Sequence, residues 1–187
     1  MLDRRKITIT KLEAAQRQLH TAITLWFTGG DPVSIHTLAY AAYEVIHAVS
    51  KQLNPNRRDL LFDSFVVKDE YRAEFNILLK KHANFFKHAN KQREDMIEFA
   101  PVLTDLFIIF GIVGLGTCSI LPSDETAAFL GWLQIHQHDF LTDKGREALR
   151  HSVSLEDLEH IRLVPKDQFF EVMRSAREAL RREGRIS

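Results

Sequence analysis

The sequence has little of several residues that mark particular classes of protein. It contains one cysteine, Cys118, so it cannot form an internal disulfide and is not a disulfide-stapled domain. Its five prolines and eight glycines form no linker or repeat, which excludes collagen-like and low-complexity chains. Lys and Arg total 25, as do Asp and Glu, so the whole chain carries no net charge. Any basic surface for nucleic acid must therefore be local.

The chain also lacks a long hydrophobic run. The most apolar stretch, residues 106–121, contains three glycines and is shorter than the roughly 18–20 apolar residues of a membrane-spanning helix. We therefore expect a buried helix there and no membrane partner. The first ten residues, MLDRRKITIT, lack the apolar segment of a secretory signal. Together with the single thiol, this predicts a cytoplasmic protein.

What the sequence does have is helical periodicity. Gly29-Gly30 is typical of a helix end, and Asp31-Pro32 is typical of a helix start. Further helices are predicted from Asp69, from Pro101, after Pro122, near Thr142, from Ser154 and over residues 165–184, whereas only residues 6–10 and 65–67 resemble strands. In the first predicted helix, apolar residues recur at three- and four-residue steps: Leu12, Ala15, Leu19, Ile23 and Trp26.

These patterns predict the all-α class: a helical bundle of about seven or eight helices in a single domain, residues 1–187. Residues 10–120 would form the core helical bundle, and residues 121–187 would add further helices packed on it. The last helix is expected to turn one apolar face inward, formed by Phe169, Val172, Met173, Ala176 and Leu180.

A stripe of ring side chains runs along the second predicted helix. His36, Tyr40, Tyr43 and His47 follow one another at steps of four, three and four, so they share one helix face. Their imidazole and phenol groups could line a polar pocket that binds a ligand. Alternatively, the tyrosines are amphipathic core residues, and the histidines lie at the ends of the stripe.

A second candidate site is the stretch KHANFFKHANKQ at residues 81–92. Lys81, Lys87 and Asn84 could hold a phosphate while His88 moves a proton, as cleavage of RNA through a neighbouring 2′-hydroxyl requires. His82 and His88 could instead hold a metal ion, although their six-residue spacing matches no common zinc motif. The third interpretation is a solvated helix end, where cationic side chains favour the carbonyl end of the helix dipole.

The run NFFKHAN at 84–90, preceded by DPVSIHTLA at 31–39, resembles an uncharacterised bacterial family of all-helical proteins with an Asn-Phe-x-Lys-His-Ala segment. This resemblance covers roughly residues 10–120. More distantly, the pattern resembles the HEPN helical bundles, which implies a four-helix core and a dimer. Nuclease members carry an Arg, then four to six intervening residues, then a catalytic His. Here Lys81 stands in the Arg position, His82 follows it and His88 would be the catalytic His. Lys lacks the planar fork of Arg, so the resemblance also admits an inactive relative.

The sequence therefore favours a helical binding or interaction protein with a His/Tyr/Lys pocket for a small molecule or RNA, and a homodimer. The alternatives are a HEPN-like, metal-independent ribonuclease using His88 and a histidine-based metal-binding protein. Predicted ligand-binding residues are His36, Tyr40, Tyr43, His47 and His82, and predicted catalytic residues are His88, Lys81, Lys87 and Asn84. No cofactor is predicted.

Overall fold

The fold is that of a computed structural model, which describes residues 6–65, 67–88, 96–137, 142–143, 146–147 and 154–186. These residues contain α-helices and short 3-10 turns but no strand, which confirms the all-α class and shows no strand at residues 6–10. The 3-10 turns are Leu61–Asp63 and Asp69–Tyr71. The helices are α1 (Lys11–Phe27), α2 (Pro32–Leu53), α3 (Arg72–Lys87), α4 (Leu103–Thr117), α5 (Asp124–His136), α6 (Leu155–Leu163) and α7 (Lys166–Arg182).

Helix ends follow the capping signals in the sequence. The Asp31 carboxylate accepts a hydrogen bond of 2.8 Å from the Ser34 N–H, and Pro32 occupies the first position of α2. Gly29, with a φ of 70°, ends α1 in the left-handed conformation that glycine adopts readily. The Ser154 hydroxyl caps α6 in the same way as Asp31 caps α2.

The chain divides into two compact units. The first comprises Met1–Ala22 and Asp31–Leu121, and the second comprises Ile23–Gly30 and Pro122–Ser187. In the first unit α2 packs most extensively on α4 and also contacts α3. In the second unit α5 packs on α7 and on α6.

Close packing of α4 in the first unit depends on two of its glycines. A Cβ atom on Gly114 would overlap the Cγ2 of Ile46 in α2, and one on Gly111 would lie 3.2 Å from the methyl groups of Leu19 in α1. The prediction that this apolar stretch forms a buried helix is confirmed for α4, where Phe107 is 2% exposed. None of the described helices is long and apolar enough to cross a lipid bilayer.

Aromatic rings form the core of the second unit. Phe27 stacks on Phe170 with 4.7 Å between ring centroids, and Trp26 meets Phe129 edge to face at 5.0 Å. The predicted inward face of the last helix is wrong in part, because Val172 in α7 is 64% exposed. Ala176, also predicted to face inward, is exposed as well.

Two features account for the actual orientation of α7. Phe170 is buried in the aromatic core, and the guanidinium of Arg177 donates a 2.8 Å hydrogen bond to the carboxylate of Asp124.

The predicted short helix near Thr142 falls largely outside the described residues.

Candidate functional site

The first member of the His/Tyr stripe, His36, lies in the core of the first unit. It is fully buried, and its Nδ1 is 3.0 Å from the hydroxyl oxygen of Thr104 in α4. Burial lowers the pKa of His36 to about 4, with a further contribution from the neighbouring His82, so its ring is neutral at pH 7. Four rings surround it edge-on at centroid distances of 4.9–6.1 Å: His82, Phe86, Phe99 and Phe107.

The two tyrosines of the stripe are core residues with hydrogen-bonded hydroxyls. The Tyr43 oxygen accepts a 3.1 Å bond from the backbone N–H of Phe62, and the Tyr40 hydroxyl donates a 3.1 Å bond to the Glu44 carboxylate. Burial raises the pKa of both phenols, so both stay protonated at neutral pH. The Tyr43 bond and the contacts of both rings with Phe62 and Phe107 hold α2 against its neighbours.

The last member, His47, is held by the Leu61–Asp63 turn. Its Nε2 lies 3.0 Å from the Asp63 carboxylate, which also binds the Lys51 ammonium at 3.0 Å. Burial lowers the pKa of His47, and the charge of Asp63 opposes this shift. Each side chain of the stripe thus has a hydrogen-bond partner within the protein, although the buried Nε2 of His36 has none among the described residues.

An open pocket of about 770 Å³ lies beside this core, between the outer face of α3 and the segment 96–98. We call it the α3 pocket. Its size falls within the range of small-molecule sites. The α3 pocket is lined by Ile77, Lys81, His82, Asn84, Phe85, Met96, Ile97 and Glu98.

One histidine holds the two walls of the α3 pocket together. The His82 Nε2–H donates a 3.0 Å hydrogen bond to the backbone carbonyl of Glu98. The His82 ring also packs against Phe99 at 5.2 Å, and Phe99 contacts Phe86 of α3 at the same distance. Because Phe99 in turn meets His36, the buried stripe supports the wall of the pocket from behind.

Three polar side chains of the α3 pocket have no partner in the described part of the chain. The Lys81 ammonium, the Asn84 amide and the Glu98 carboxylate all line the pocket. Each side chain lacks an ion pair or hydrogen bond to any other described residue. They are therefore available to a ligand without breaking an existing contact with those residues.

The neighbouring lysines of α3 are engaged instead. The Lys87 ammonium lies 4.7 Å from the centre of the Tyr40 ring and 3.9 Å from the Glu44 carboxylate. The Lys80 ammonium lies 4.9 Å from the centre of the Phe62 ring. Lys87 thus joins α3 to α2, on a different face of α3 from the pocket.

The structure brings some of the predicted residues together and separates others. Lys81, His82 and Asn84 line one pocket. His88 is exposed just after α3, where its backbone N–H donates a 3.1 Å bond to the carbonyl of Asn84. Lys81, Asn84 and His88 follow at steps of three and four, so these three exposed residues share one stripe.

A metal site receives no support from the residues described. Nowhere among them do three or more His, Cys, Asp or Glu side chains form a group that could hold a metal ion. His82 uses its Nε2 to bind the Glu98 carbonyl, and His36 is enclosed by rings.

Sequence reasoning missed the apolar walls and the acidic member of the α3 pocket. Ile77 is 69% exposed and Met96 is 95% exposed. A signal was present at residues 77–79, because three successive apolar residues on one helix cannot all face the core. Glu98 and the wall at 96–98 carry no comparable signal.

Comparison with known proteins adds no relative whose function could be considered: no family model, no curated protein and no solved structure matches the chain. The resemblances carried by residues 31–39 and 84–90 therefore stay predictions.

Proposed function

We propose that this is a binding protein and that the α3 pocket is its ligand site. The observation that carries the proposal is the combination of apolar walls with three polar side chains that have no partner among the described residues. Ligand sites in proteins are concave, largely apolar and furnished with a few polar groups that fix orientation. The α3 pocket has each of these properties.

The buried His/Tyr stripe supports this site rather than touching the ligand. His36 packs against His82 and Phe99, which hold the wall at 96–98. Tyr40 and Glu44 hold Lys87, and through it the end of α3. Rigid support of this kind keeps the pocket in shape without ligand.

The proposal is tested by two-dimensional ¹H–¹⁵N NMR of the full chain with neutral apolar probes, indole and 1-naphthol. We expect shift changes to cluster at residues 77–85 and 96–98. Ile77→Asp should weaken binding about tenfold, because it places a charge on the apolar wall.

The matched control is Leu78→Asp. Leu78 is 60% exposed on the same helix but does not line the pocket, so its replacement should leave probe binding unchanged. Shift changes centred elsewhere in the chain, or equal effects of the two substitutions, would contradict the proposal.

A second candidate function is the HEPN-like, metal-independent ribonuclease. The observation in its favour is the exposed stripe of Lys81, Asn84 and His88. His88 would take the proton of an RNA 2′-hydroxyl as it attacks the adjacent phosphorus, and the 5′-oxygen would leave. Lys81 and Asn84 would hold the phosphate. Lys87 is less suited to this task, because it is committed to Tyr40 and Glu44.

Single-stranded RNA incubated with the protein in EDTA separates the two functions. The ribonuclease predicts fragments ending in a 2′,3′-cyclic phosphate, lost in His88→Ala and retained in His160→Ala, which alters an exposed histidine of α6. If the RNA stays intact while the protein is folded, the ribonuclease is ruled out and only the binding function remains.

We further propose that the protein acts as a cytoplasmic homodimer. Its only cysteine, Cys118, is a free thiol, which fits a reducing compartment. Exposed apolar side chains on both units, among them Leu53 and Leu163, offer surface for self-association.

A further inference from the structure

We propose that the α3 pocket takes an apolar zwitterion: an apolar body with an anionic group at one end and a cationic group at the other. A short apolar peptide with free ends is a molecule of this class. The inference rests on the proposed function, because it names the ligand of the same site.

The anionic end is assigned to Lys81 and Asn84. The two residues are three apart on α3, so their side chains are neighbours on one face of the helix. An ammonium and a carboxamide N–H₂ are both donors, and together they can bind the two oxygens of a carboxylate. Neither side chain has a partner among the described residues.

The cationic end is assigned to Glu98, on the opposite wall. Among the described residues that line the α3 pocket, Glu98 supplies the only carboxylate. Its backbone is held by the 3.0 Å bond from His82, while its side chain has no partner in the described chain. A ligand ammonium would give this carboxylate a charge-assisted hydrogen bond.

The apolar body is assigned to the surfaces between these ends. Ile77 and Phe85 contribute the α3 side, and Met96 and Ile97 contribute the facing segment. Burial of apolar ligand surface against them supplies the main driving force, roughly 25 cal/mol per Å².

The pairing of charges selects the class of ligand. An anionic ligand without a cationic group would place its charge beside Glu98, and a purely cationic ligand would meet Lys81. Like charges in contact disfavour binding, whereas a zwitterion satisfies both walls. A neutral apolar ligand would leave both charged groups without a partner.

The test uses the tripeptide Phe-Ala-Leu in four forms: free ends, N-acetylated, C-amidated and blocked at both ends. Binding to the full chain is measured by NMR titration. The free form should bind most tightly, and each block should weaken binding about two- to fivefold, the range expected for exposed ion pairs.

Two substitutions assign each end of the ligand. Lys81→Met should abolish the difference between the carboxylate and amide forms, and Glu98→Gln should abolish the difference between the free and acetylated amines. Lys68→Met and Glu70→Gln are the matched controls. Their side chains are 78% and 64% exposed and lie outside the pocket, so both differences should persist.

The outcomes separate this inference from the function on which it rests. If the doubly blocked peptide binds as tightly as the free one, the zwitterion is wrong and the pocket stands. The same conclusion follows if only the neutral probes indole and 1-naphthol shift residues 77–85. If neither the probes nor any peptide perturbs the pocket, both proposals fail. Because Lys81 and Glu98 are exposed, these variants should fold. Circular dichroism spectra like that of the wild type would verify this.

Discussion

At the residue scale, histidines that look equivalent in the sequence lie in different surroundings. Their chemistry therefore differs. His36 is enclosed by aromatic rings, and His47 is bound to Asp63. Burial lowers the pKa of both, whereas His82 works as a hydrogen-bond donor that fastens the pocket wall. Only His82 among these three lines the α3 pocket.

Burial of neutral His36 predicts a loss of stability in acid. Its pKa is lowered from 6.5 to about 4 in the folded state, so the unfolded chain takes up the proton first. The free energy of unfolding should therefore fall as the pH decreases from 6.5 toward 4. Between pH 7 and pH 4.5, His36 should account for a loss of about 2 kcal/mol.

Urea denaturation of the wild type and of His36→Gln at both pH values measures this contribution. Gln can still hydrogen-bond to Thr104 but does not titrate, so the variant should lose about 2 kcal/mol less on acidification. His160→Gln, which changes an exposed histidine, should behave like the wild type. Equal acid sensitivity of the wild type and His36→Gln would show that His36 is not buried neutral.

The residue scale also marks a limit of sequence reasoning. The spacing of His36, Tyr40 and Tyr43 correctly places them on one face of α2. The spacing does not predict the hydrogen-bond partners of these residues. The partner of His36, Thr104, is 68 positions away in the sequence, and Tyr43 accepts a hydrogen bond from the backbone N–H of Phe62. Whether a polar stripe lines a pocket or a core depends on such distant partners.

At the element scale, capping residues and periodicity predict where most helices begin and end. Asp31 and Pro32 begin α2 through local chemistry. The Asp31 carboxylate accepts a hydrogen bond from a free N–H of the first turn, and Pro32 has no N–H that would lack a partner there. The orientation of α7 is not local. It depends on the fit of Phe170 beside Phe27 and on Asp124, neither of which the pattern within the helix contains.

The contact between α2 and α4 yields a prediction for Gly114. In Gly114→Ala the new methyl group overlaps the Ile46 side chain, so the helices must separate or repack. We expect the free energy of unfolding to fall by about 1–3 kcal/mol, the usual cost of overpacking. Chemical denaturation at pH 7 measures the change.

Gly116→Ala is the control in the same helix. A Cβ there meets no atom within 4 Å, so helix propensity alone should act and raise stability by up to about 1 kcal/mol. Loss of stability in both variants would mean that the close approach of α2 and α4 does not explain the glycine at 114.

At the scale of the whole molecule, composition and periodicity suffice to predict an all-α protein, because hydrophobic stripes at helical spacing run through most of the chain. They do not predict the α3 pocket. Its apolar wall comes from an excess of apolar residues on α3, and its acidic wall comes from a segment without regular structure. A site made by joining a helix to an irregular segment has no periodic signature.

The expected homodimer depends on exposed apolar surface and on weak repulsion between copies. Because the chain has zero net charge, long-range repulsion between copies is weak, and exposed apolar residues such as Leu53, Leu163 and Val172 favour association. We expect sedimentation equilibrium at micromolar concentration to give twice the chain mass of 21.6 kDa. The association should persist in high salt, since apolar contacts are not screened.

A monomer under these conditions would rule out the homodimer, and with it the partner-facing arrangement that the HEPN resemblance implies. The α3 pocket, built entirely from one chain, would then remain as the site to test.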